Sequence, residues 1–150
     1  MADWFFDKTD EDFEVKWLVP LFYRISSDLK VAADNVDKFK KDDNRSTLNI
    51  ALNELQSRFK GLVRERTPVT STTSKKHAMF VITNVLFKAY FSLNNLNLCQ
   101  KLINFVDGPS GVNSSNLTYF PVCDVVMYKF YVGRMKMFQD NYEEANECLR

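Results

Sequence analysis

Apolar residues recur at intervals of three or four positions along most of the chain, which places them on one face of an α-helix. The first stripe consists of Leu18, Leu21, Ile25, Leu29, Ala32 and Val36. The second consists of Leu48, Leu52, Leu55, Phe59 and Leu62. Ser46 precedes the second stripe and is its expected N-cap. The pattern predicts two amphipathic helices joined by a charged connection over residues 38–46.

The next stretch predicts a helix–turn–helix unit. Residues 67–74, TPVTSTTS, combine a proline with hydroxyl and β-branched side chains, which favour a loop. Ser74 is the expected N-cap of a third helix over about 75–93, which is apolar nearly all round and must be covered on more than one side. Two asparagines then form a turn, because asparagine tolerates the left-handed conformation that ends helices. A fourth helix follows over about 96–106.

The last third of the chain predicts a second unit of the same kind. A loop rich in glycine and serine covers residues 107–118. The fifth helix begins near Pro121, a favoured first-turn residue, and the sixth begins at Tyr142. The two units align at an offset of 46 residues. The aligned pairs are Leu86 with Val132, Asn95 with Asn141, Leu96 with Tyr142, Cys99 with Ala145, and Ile103 with Leu149.

Three residues of the second unit match the spacing of a tetratricopeptide repeat. Gly133, Tyr142 and Ala145 stand where that repeat has a small residue, an aromatic and a small residue. Because glycine has no side chain, we expect the sixth helix to approach the fifth at Gly133, with Ala145 facing it. Leu86 and Phe87 are the expected packing residues of the first unit. The predicted fold is all-α, an α-solenoid of tetratricopeptide-like helix pairs.

Composition supports a single all-α domain. The chain has 150 residues, 45% of them apolar, and only four glycines and four prolines, which favours helices over a turn-rich β fold. Twenty Lys and Arg against 19 Asp and Glu leave a formal net charge of +1, so overall charge does not recruit nucleic acid or a membrane. We expect residues 1–150 to form one helical-repeat region, with residues 1–11 as a flexible acidic end.

Several features of the sequence favour a reducing compartment. The three cysteines suit neither a disulfide framework nor a zinc site, and they lie in or beside apolar runs where a thiol is normally inert. The acidic N-terminus lacks the features of a secretory signal. The most apolar run, residues 78–91, is too short and too polar to span a membrane. We expect a protein of the nucleus or cytoplasm without membrane contact.

The sequence contains no recognisable enzyme constellation. His77 is the only histidine, and neither a glycine-rich phosphate loop nor a nucleophile elbow occurs. We therefore predict no catalytic residue, no metal site and no cofactor. One set of basic residues could contact phosphates if the fold brought them to one end. It consists of Lys38, Lys40, Lys41, Arg64, Arg66, Lys75 and Lys76.

Two segments resemble a known family. LFKAYF, residues 86–91, is followed by LNLCQKLI, and YKFYVGRMKMF, from Tyr128, is followed by ANECL. The matching residues are Leu86, Phe87, Lys88, Tyr90, Phe91, Leu98, Cys99, Leu102, Ile103, Tyr128, Lys129, Tyr131, Val132, Gly133, Arg134 and Phe138. They resemble the central helical-repeat part of the PCI-domain-containing protein 2 family and its fungal and signalosome-associated relatives. The likeness covers most of the chain after Trp17 and is strongest after Phe80.

The resemblance implies a non-enzymatic scaffold subunit of the nuclear complex that couples transcription to messenger RNA export. It implies two partners, a GANP-type scaffold protein and a small acidic protein shared with the proteasome lid. In that family a C-terminal winged helix completes the PCI domain and helps to present a nucleic-acid surface. This sequence shows no winged helix. We therefore expect a fragment or short form of a longer PCI protein, and contact with RNA or DNA only through parts absent from this chain.

Two alternative functions stay open. A free-standing tetratricopeptide-like adapter would need about three regular repeats, whereas the pattern shows one clear unit and one degenerate unit. A scaffold subunit of the signalosome or proteasome-lid type is the other alternative. Because the third and fifth helices are apolar on several sides, we also predict that the isolated chain self-associates.

Overall fold

The structure is a computed structural model that describes residues 16–108, 112 and 114–150. Within these residues all regular secondary structure is helical. The α-helices of this part are α1 (Val19–Lys40), α2 (Ser46–Arg64), α3 (Met79–Ser92), α4 (Leu96–Val106), α5 (Val122–Phe138) and α6 (Tyr142–Leu149). Short 3-10 helices cover Lys16–Leu18, Lys75–Ala78 and Ser114–Tyr119. The all-α prediction is confirmed, and the predicted flexible end, residues 1–11, lies outside the described residues.

The helices pair and stack as predicted for an α-solenoid. α1 packs on α2, α3 on α4 and α5 on α6, with a short turn inside each pair. α1, α3 and α5 form one layer, in which α3 contacts both of its neighbours. α3 also contacts α2 and α4, and every residue from Met79 to Phe87 is buried. The apolar third helix is thus covered on several sides, as its sequence predicts.

The turns within the helix pairs share one backbone geometry. Asn94 and Asp140, 46 residues apart, have φ of 53° and 58°, which is the left-handed conformation. The amide N of Asn95 and of Asn141 each donates to the carbonyl O five residues earlier, at 2.9 and 3.0 Å. Lys41, in the turn after α1, has φ of 52°. The amide N of Asp42 donates to the carbonyl O of Asp37, also five residues earlier, at 2.9 Å. The α1–α2 pair, whose two helices the sequence predicts, therefore turns with the same backbone geometry as the two aligned units.

The first turn of the third helix differs slightly from its prediction. Ser74 is confirmed as the N-cap, since its Oγ accepts a hydrogen bond from the backbone N of Lys76 at 3.3 Å. The capped turn, Lys75–Ala78, is a 3-10 helix, and the α-helix begins only at Met79. Short 3-10 segments are common at the start of α-helices.

The predicted stripe of α2 is buried, but most of the predicted stripe of α1 is not. Leu21, Leu29 and Val36 of α1 are between 39% and 49% exposed. Leu18 of that stripe is buried, and the other buried residues of this segment are Val19, Phe22, Ser26, Ala33 and Asp37. The small side chains of Ser26 and Ala33 permit close approach by the neighbouring helices. The predicted face was wrong because a polar contact of Asp37 with α2 also fixes how α1 is rotated.

Asp37 caps the N-terminus of α2, where the sequence predicts Ser46. Its Oδ1 accepts from the backbone N of Thr47 at 3.0 Å and its Oδ2 from that of Leu48 at 2.7 Å. Asp42 accepts hydrogen bonds from the backbone N of Ser46, at 3.0 Å, and from its hydroxyl. Burial alone would raise the pKa of Asp37, but the hydrogen bonds outweigh it and hold that pKa below its usual value. Two carboxylates thus satisfy the first amides of α2.

An aromatic cluster fixes α5 against α3. Phe80, Phe87 and Phe91 of α3 face Tyr128 and Tyr131 of α5. The ring centroids of Phe87 and Tyr131 are 5.4 Å apart, and those of Phe80 and Tyr128 are 5.0 Å apart. Such offset and tilted pairs add to the stabilisation from burial. The two segments that carry the family resemblance thus meet at one helix–helix interface.

Candidate partner-binding groove

A groove with an apolar lining crosses one face of the α1–α3–α5 layer. Its volume is about 600 Å³, within the usual range for ligand sites. Val81 and Val85 of α3 form its floor, Val19 belongs to the α1 wall, and Met127 belongs to the α5 wall. We call this space the α3 groove. It exists because α1 and α5 both pack on α3 and leave a channel between them.

Asn84 is one of two buried polar residues that line the α3 groove, with His77. Asn84 is only 6% exposed, and its Nδ2 donates to the backbone carbonyl of Asp124 at 3.0 Å. This bond links α3 to α5. The Oδ1 atom has no hydrogen-bond donor among the described residues. A buried acceptor without a donor is costly, and native structures contain few of them.

Three charged side chains also line the α3 groove. Lys30 comes from α1, Lys88 from α3 and Asp124 from α5. Lys88 lies one helical turn beyond Asn84. In the described part of the chain, neither lysine forms an ion pair. Burial raises the pKa of the Asp124 carboxyl. The groove therefore carries two cations and one carboxyl group within an apolar lining.

The cysteines and His77 have different environments. Cys99 is buried, and burial raises the pKa of its thiol to about 11. Cys123 lines the α3 groove and is exposed, unlike Cys99. His77 is buried, and its Nε2 lies 2.9 Å from the carbonyl O of Ser71. This contact holds the loop before α3 against the core.

The structure divides the seven predicted basic residues between two ends of the molecule. Lys38, Lys40 and Lys41 lie where α1 ends, whereas Arg64, Arg66, Lys75 and Lys76 lie beyond the far end of α2 or close to it. The 19 residues of α2 separate these ends by about 28 Å. The predicted single basic surface is therefore not formed. Its residues are distant in the chain, and the sequence alone does not show that α2 runs between them.

The first of these ends carries mixed charge. Lys38 Nζ lies 2.8 Å from Asp34 Oδ2, and Arg45 Nη1 lies 3.6 Å from Asp34 Oδ1. Asp42 and Asp43 share the same shallow depression. Acidic and basic groups thus alternate there, so this end lacks the uniform positive charge that phosphate binding favours. The other end, with Arg64, Arg66, Lys75 and Lys76, is called the basic end below.

Gly133 lies at the contact between α5 and α6. A Cβ atom at this position would be 2.7 Å from Leu149 Cγ and 3.3 Å from the backbone O of Ala145. Ala145 is buried, but the side chain that fills the space at Gly133 belongs to Leu149. Tyr142 does not take the packing position predicted for it. It is the first residue of α6 and 63% exposed, and its hydroxyl donates to Asp140 Oδ1 in the preceding turn at 3.0 Å.

Leu86 and Phe87 lie in the centre of the core. Both are fully buried, and Phe87 packs on the rings of Tyr128 and Tyr131. The repeat offset places Phe87 opposite Gly133 in the two units. The α3–α4 pair therefore carries an aromatic ring at the position where the α5–α6 pair has a glycine.

α5 has a second apolar side that faces away from α3. Val122, Val126 and Phe130 follow each other at intervals of four residues, and all three are exposed. Tyr128 and Met135, which point toward the core, lie on the opposite side of the helix. We call the exposed side the outer face of α5. Its position is the one that a further helix would occupy if the layer continued.

The sequence alone did not indicate the α3 groove, the role of Asn84 or the outer face of α5. A polar residue inside the apolar run of the third helix was the available signal for Asn84. In the described part of the chain, no three His, Cys, Asp or Glu side chains are placed to hold a metal ion. None of the helices described there has the length and apolar character needed to cross a bilayer.

Comparison with known proteins gives similarity across nine tenths of the chain. PCI domain-containing protein 2 of Danio rerio is 33% identical over 91% of this chain, and that of Xenopus laevis is 34% identical over 91%. Protein CSN12 homolog of Neurospora crassa is 25% identical over 89%. The chain spans about one third of the length of these relatives: 34%, 34% and 33%. No family model and no solved structure matches it.

Proposed function

This chain belongs to the PCI domain-containing protein 2 family, and on that premise we propose that it is a non-enzymatic scaffold subunit of the nuclear machinery that couples transcription to messenger RNA export. The observation that carries the proposal is the similarity to relatives of that name over most of the chain. We also propose a nuclear location, with the cytoplasm second, and contact with RNA or DNA only through regions that this chain does not span.

The architecture supports a scaffold role because a solenoid acts through the faces that it presents. The α3 groove and the outer face of α5 are two apolar surfaces on one helix layer. The aromatic interface between α3 and α5 fixes the relative position of these surfaces. Such an arrangement can hold two proteins at a defined distance without any chemistry of its own.

The proposed partners are a GANP-type scaffold protein and a small acidic protein shared with the proteasome lid. The basic end suits the acidic partner better than the opposite end does. Four basic side chains lie there with one carboxylate, that of Glu65, whereas several carboxylates alternate with lysines around Lys38. Charge complementarity of this kind mainly raises the rate of association. We therefore propose the basic end as the contact for the acidic protein.

Affinity purification of the tagged chain from nuclear extract, followed by quantitative mass spectrometry, tests the proposal. We expect the GANP-type scaffold and the acidic protein to be recovered together. Arg64→Glu combined with Arg66→Glu should reduce recovery of the acidic protein. Lys101→Glu, at an exposed position of α4, is the matched control and should leave that recovery unchanged. A folded chain that recovers neither protein would contradict the proposal.

A scaffold subunit of the signalosome or proteasome-lid type is the second candidate. The observation that favours it is the similarity to Protein CSN12 homolog over 89% of the chain. The same purification separates the two functions. Recovery of signalosome or lid subunits without messenger RNA export proteins would favour this second candidate.

A further inference from the structure

The α3 groove lies beside the point at which the described chain begins. Val19 and Pro20, which follow Lys16 by three and four residues, belong to its α1 wall. We propose that residues 4–6, WFF, which lie outside the described residues, dock in the α3 groove of their own chain. Docked in this way, the segment covers one face of the solenoid, and a partner of that face has to displace it. The contact is independent of the partners proposed above.

The composition of residues 1–15 matches the groove. They contain six Asp or Glu and one Lys, yet Trp4, Phe5 and Phe6 form an unbroken aromatic run. Such a run is a contiguous apolar patch, which a folded chain normally covers. The α3 groove offers an apolar lining and a volume of about 600 Å³, enough for a ligand of several rings. It is thus a suitable cover for the aromatic run.

The start of the described chain lies at one end of the groove. The 3-10 helix Lys16–Leu18 contacts the 3-10 helix Lys75–Ala78, which leads into α3. The ring centroid of His77 lies 5.9 Å from that of Phe120, just before α5. The first turns of α1, α3 and α5 therefore meet here, and residues 1–15 join the molecule at this end.

The segment is long enough to fold back along the groove. Trp4 precedes Lys16 by 12 residues, which span up to about 40 Å when extended. The groove follows α1 from Val19 to Val31, which corresponds to about 18 Å of helix. Residues 4–6 can therefore reach any part of the lining.

Charge favours an acidic occupant at the rim of the groove. Lys30 and Lys88 line the groove together with one carboxyl group. Lys30 also interacts with Asp34, whereas Lys88 is exposed and forms no ion pair within the described residues. Asp3 and Asp7 flank the aromatic run, so a carboxylate can meet Lys88 while the rings enter the apolar lining. A rim contact of this kind fixes orientation more than it adds affinity.

Tethering makes a modest affinity sufficient. A short tether gives an effective concentration of about 1 mM for an intramolecular contact. An intrinsic dissociation constant of about 0.1 mM for the aromatic run then leaves about ten molecules closed for each open one. A partner that binds the groove more tightly than this displaces the segment. The docked segment is therefore a reversible cover.

Alkylation of Cys123 tests the proposal, because this exposed thiol lines the groove. In a triple variant, Trp4→Ser with Phe5→Ser and Phe6→Ser, iodoacetamide should react with Cys123 about ten times faster than in the parent chain, in line with that occupancy. Cys148, on α6 and half-buried, should react at the same rate in both. Mass spectrometry follows both thiols in the same molecule. Equal rates at Cys123, or an equal change at Cys148, overturn the proposal.

Two controls separate docking within one chain from other causes. Phe39→Ser removes a ring that is 90% exposed and should leave the rate at Cys123 unchanged. Occupancy by a tethered segment does not depend on protein concentration, so about a hundredfold dilution should also leave the parent rate unchanged. A faster rate in either case overturns the proposal, because the cover is then either unspecific or supplied by a second copy.

The fluorescence of Trp4, in a Trp17→Phe background, reports the docked segment directly. We expect acrylamide to quench it more slowly in the native chain than in urea. Met127→Glu, on the α5 wall, should remove this protection, because a carboxylate in the apolar lining disfavours the rings. Ile50→Glu, on α2 and outside the groove lining, is the matched control and should keep the protection. Equal quenching in the native and unfolded chains, or protection that survives Met127→Glu, overturns the proposal.

Discussion

Gly133 allows α6 to approach α5 because it leaves room for the side chain of Leu149. A Cβ atom there would lie 2.7 Å and 2.9 Å from two carbon atoms of Leu149, which is closer than carbon atoms pack. Gly61, in α2, has no atom within 4 Å of the same hypothetical Cβ. Packing therefore excludes a larger residue at Gly133 but not at Gly61, and the two positions should respond differently to substitution by alanine.

Gly133→Ala should lower the free energy of unfolding by about 1 kcal/mol, because overpacking outweighs the gain in helix propensity. Gly61→Ala, the matched control, should raise it by up to about 1 kcal/mol. Urea unfolding followed by circular dichroism measures both changes. In a Leu149→Ala background the substitution at position 133 should become neutral or stabilising. If it stays equally destabilising there, Leu149 is not the obstacle.

Asp37 should make the fold sensitive to acid. Its folded pKa is below the unfolded value, so its ionised form stabilises the fold above an unfolded pKa of about 3.9. That contribution is lost as pH falls through the lower folded pKa. Stability should therefore decrease below about pH 4, and Asp37→Asn should show a shallower decrease. Urea unfolding at a series of pH values measures the slopes. Identical slopes in both proteins would contradict the capping role.

Sequence reasoning identified the close approach at Gly133 but not the side chain of Leu149 there, and it missed Asp37 and Asn84 for a physical reason. A glycine within a helix-forming run is a local anomaly, and its close-approach role follows from nearby residues. Asp37 caps residues 10 and 11 positions away, and Asn84 bonds to a carbonyl 40 positions away. These contacts depend on how helices are placed, which local spacing does not define.

Apolar patterning identifies the buried face of α2 but not those of α1 and α5. α2 buries its predicted stripe, because it packs on both α1 and α3. α1 lies at the edge of the layer, and part of its apolar stripe stays exposed. α5 is apolar on two opposite sides, and only one of them meets α3. A stripe thus indicates that a surface is to be covered, without indicating which neighbour covers it.

The outer face of α5 should drive self-association of the isolated chain. We expect sedimentation velocity to show larger species as concentration rises, because exposed contiguous apolar surface favours association. Val126→Glu combined with Phe130→Glu should shift the chain toward monomer. Ile50→Glu, at a residue of α2 that is 71% exposed, is the matched control and should leave association unchanged. A monomer at all concentrations would show that this prediction is wrong.

The interface between α3 and α5 should contribute much of the stability of the fold. Phe87→Ala removes a fully buried ring that packs on Tyr128 and Tyr131, so we expect a loss of about 3–5 kcal/mol. Phe39→Ala, at a ring that is 90% exposed, should change stability by less than about 0.5 kcal/mol. Thermal unfolding compares the two variants. Equal effects would contradict the central position of Phe87.

At the scale of the whole molecule, the all-α solenoid could be predicted because each helix leaves a periodic pattern and the turns repeat. The 46-residue offset recurs in the backbone of the turns at Asn94 and Asp140. The α3 groove could not be predicted, since it arises from the spacing of three helices. The division of the basic residues between two ends could not be predicted either, because it depends on how α2 runs between them. Surfaces shared by several helices are therefore where the structure adds most to the sequence.

The proposed scaffold function requires this solenoid to present its faces to partner proteins. Hydrogen–deuterium exchange of the chain, alone and mixed with the purified GANP-type scaffold and small acidic protein, tests it most directly. We expect slower amide exchange in the bound regions, which are α1 and α5 or the basic end, and unchanged exchange in the buried helix α3. No complex, or a complex without protection in any of these regions, would contradict it.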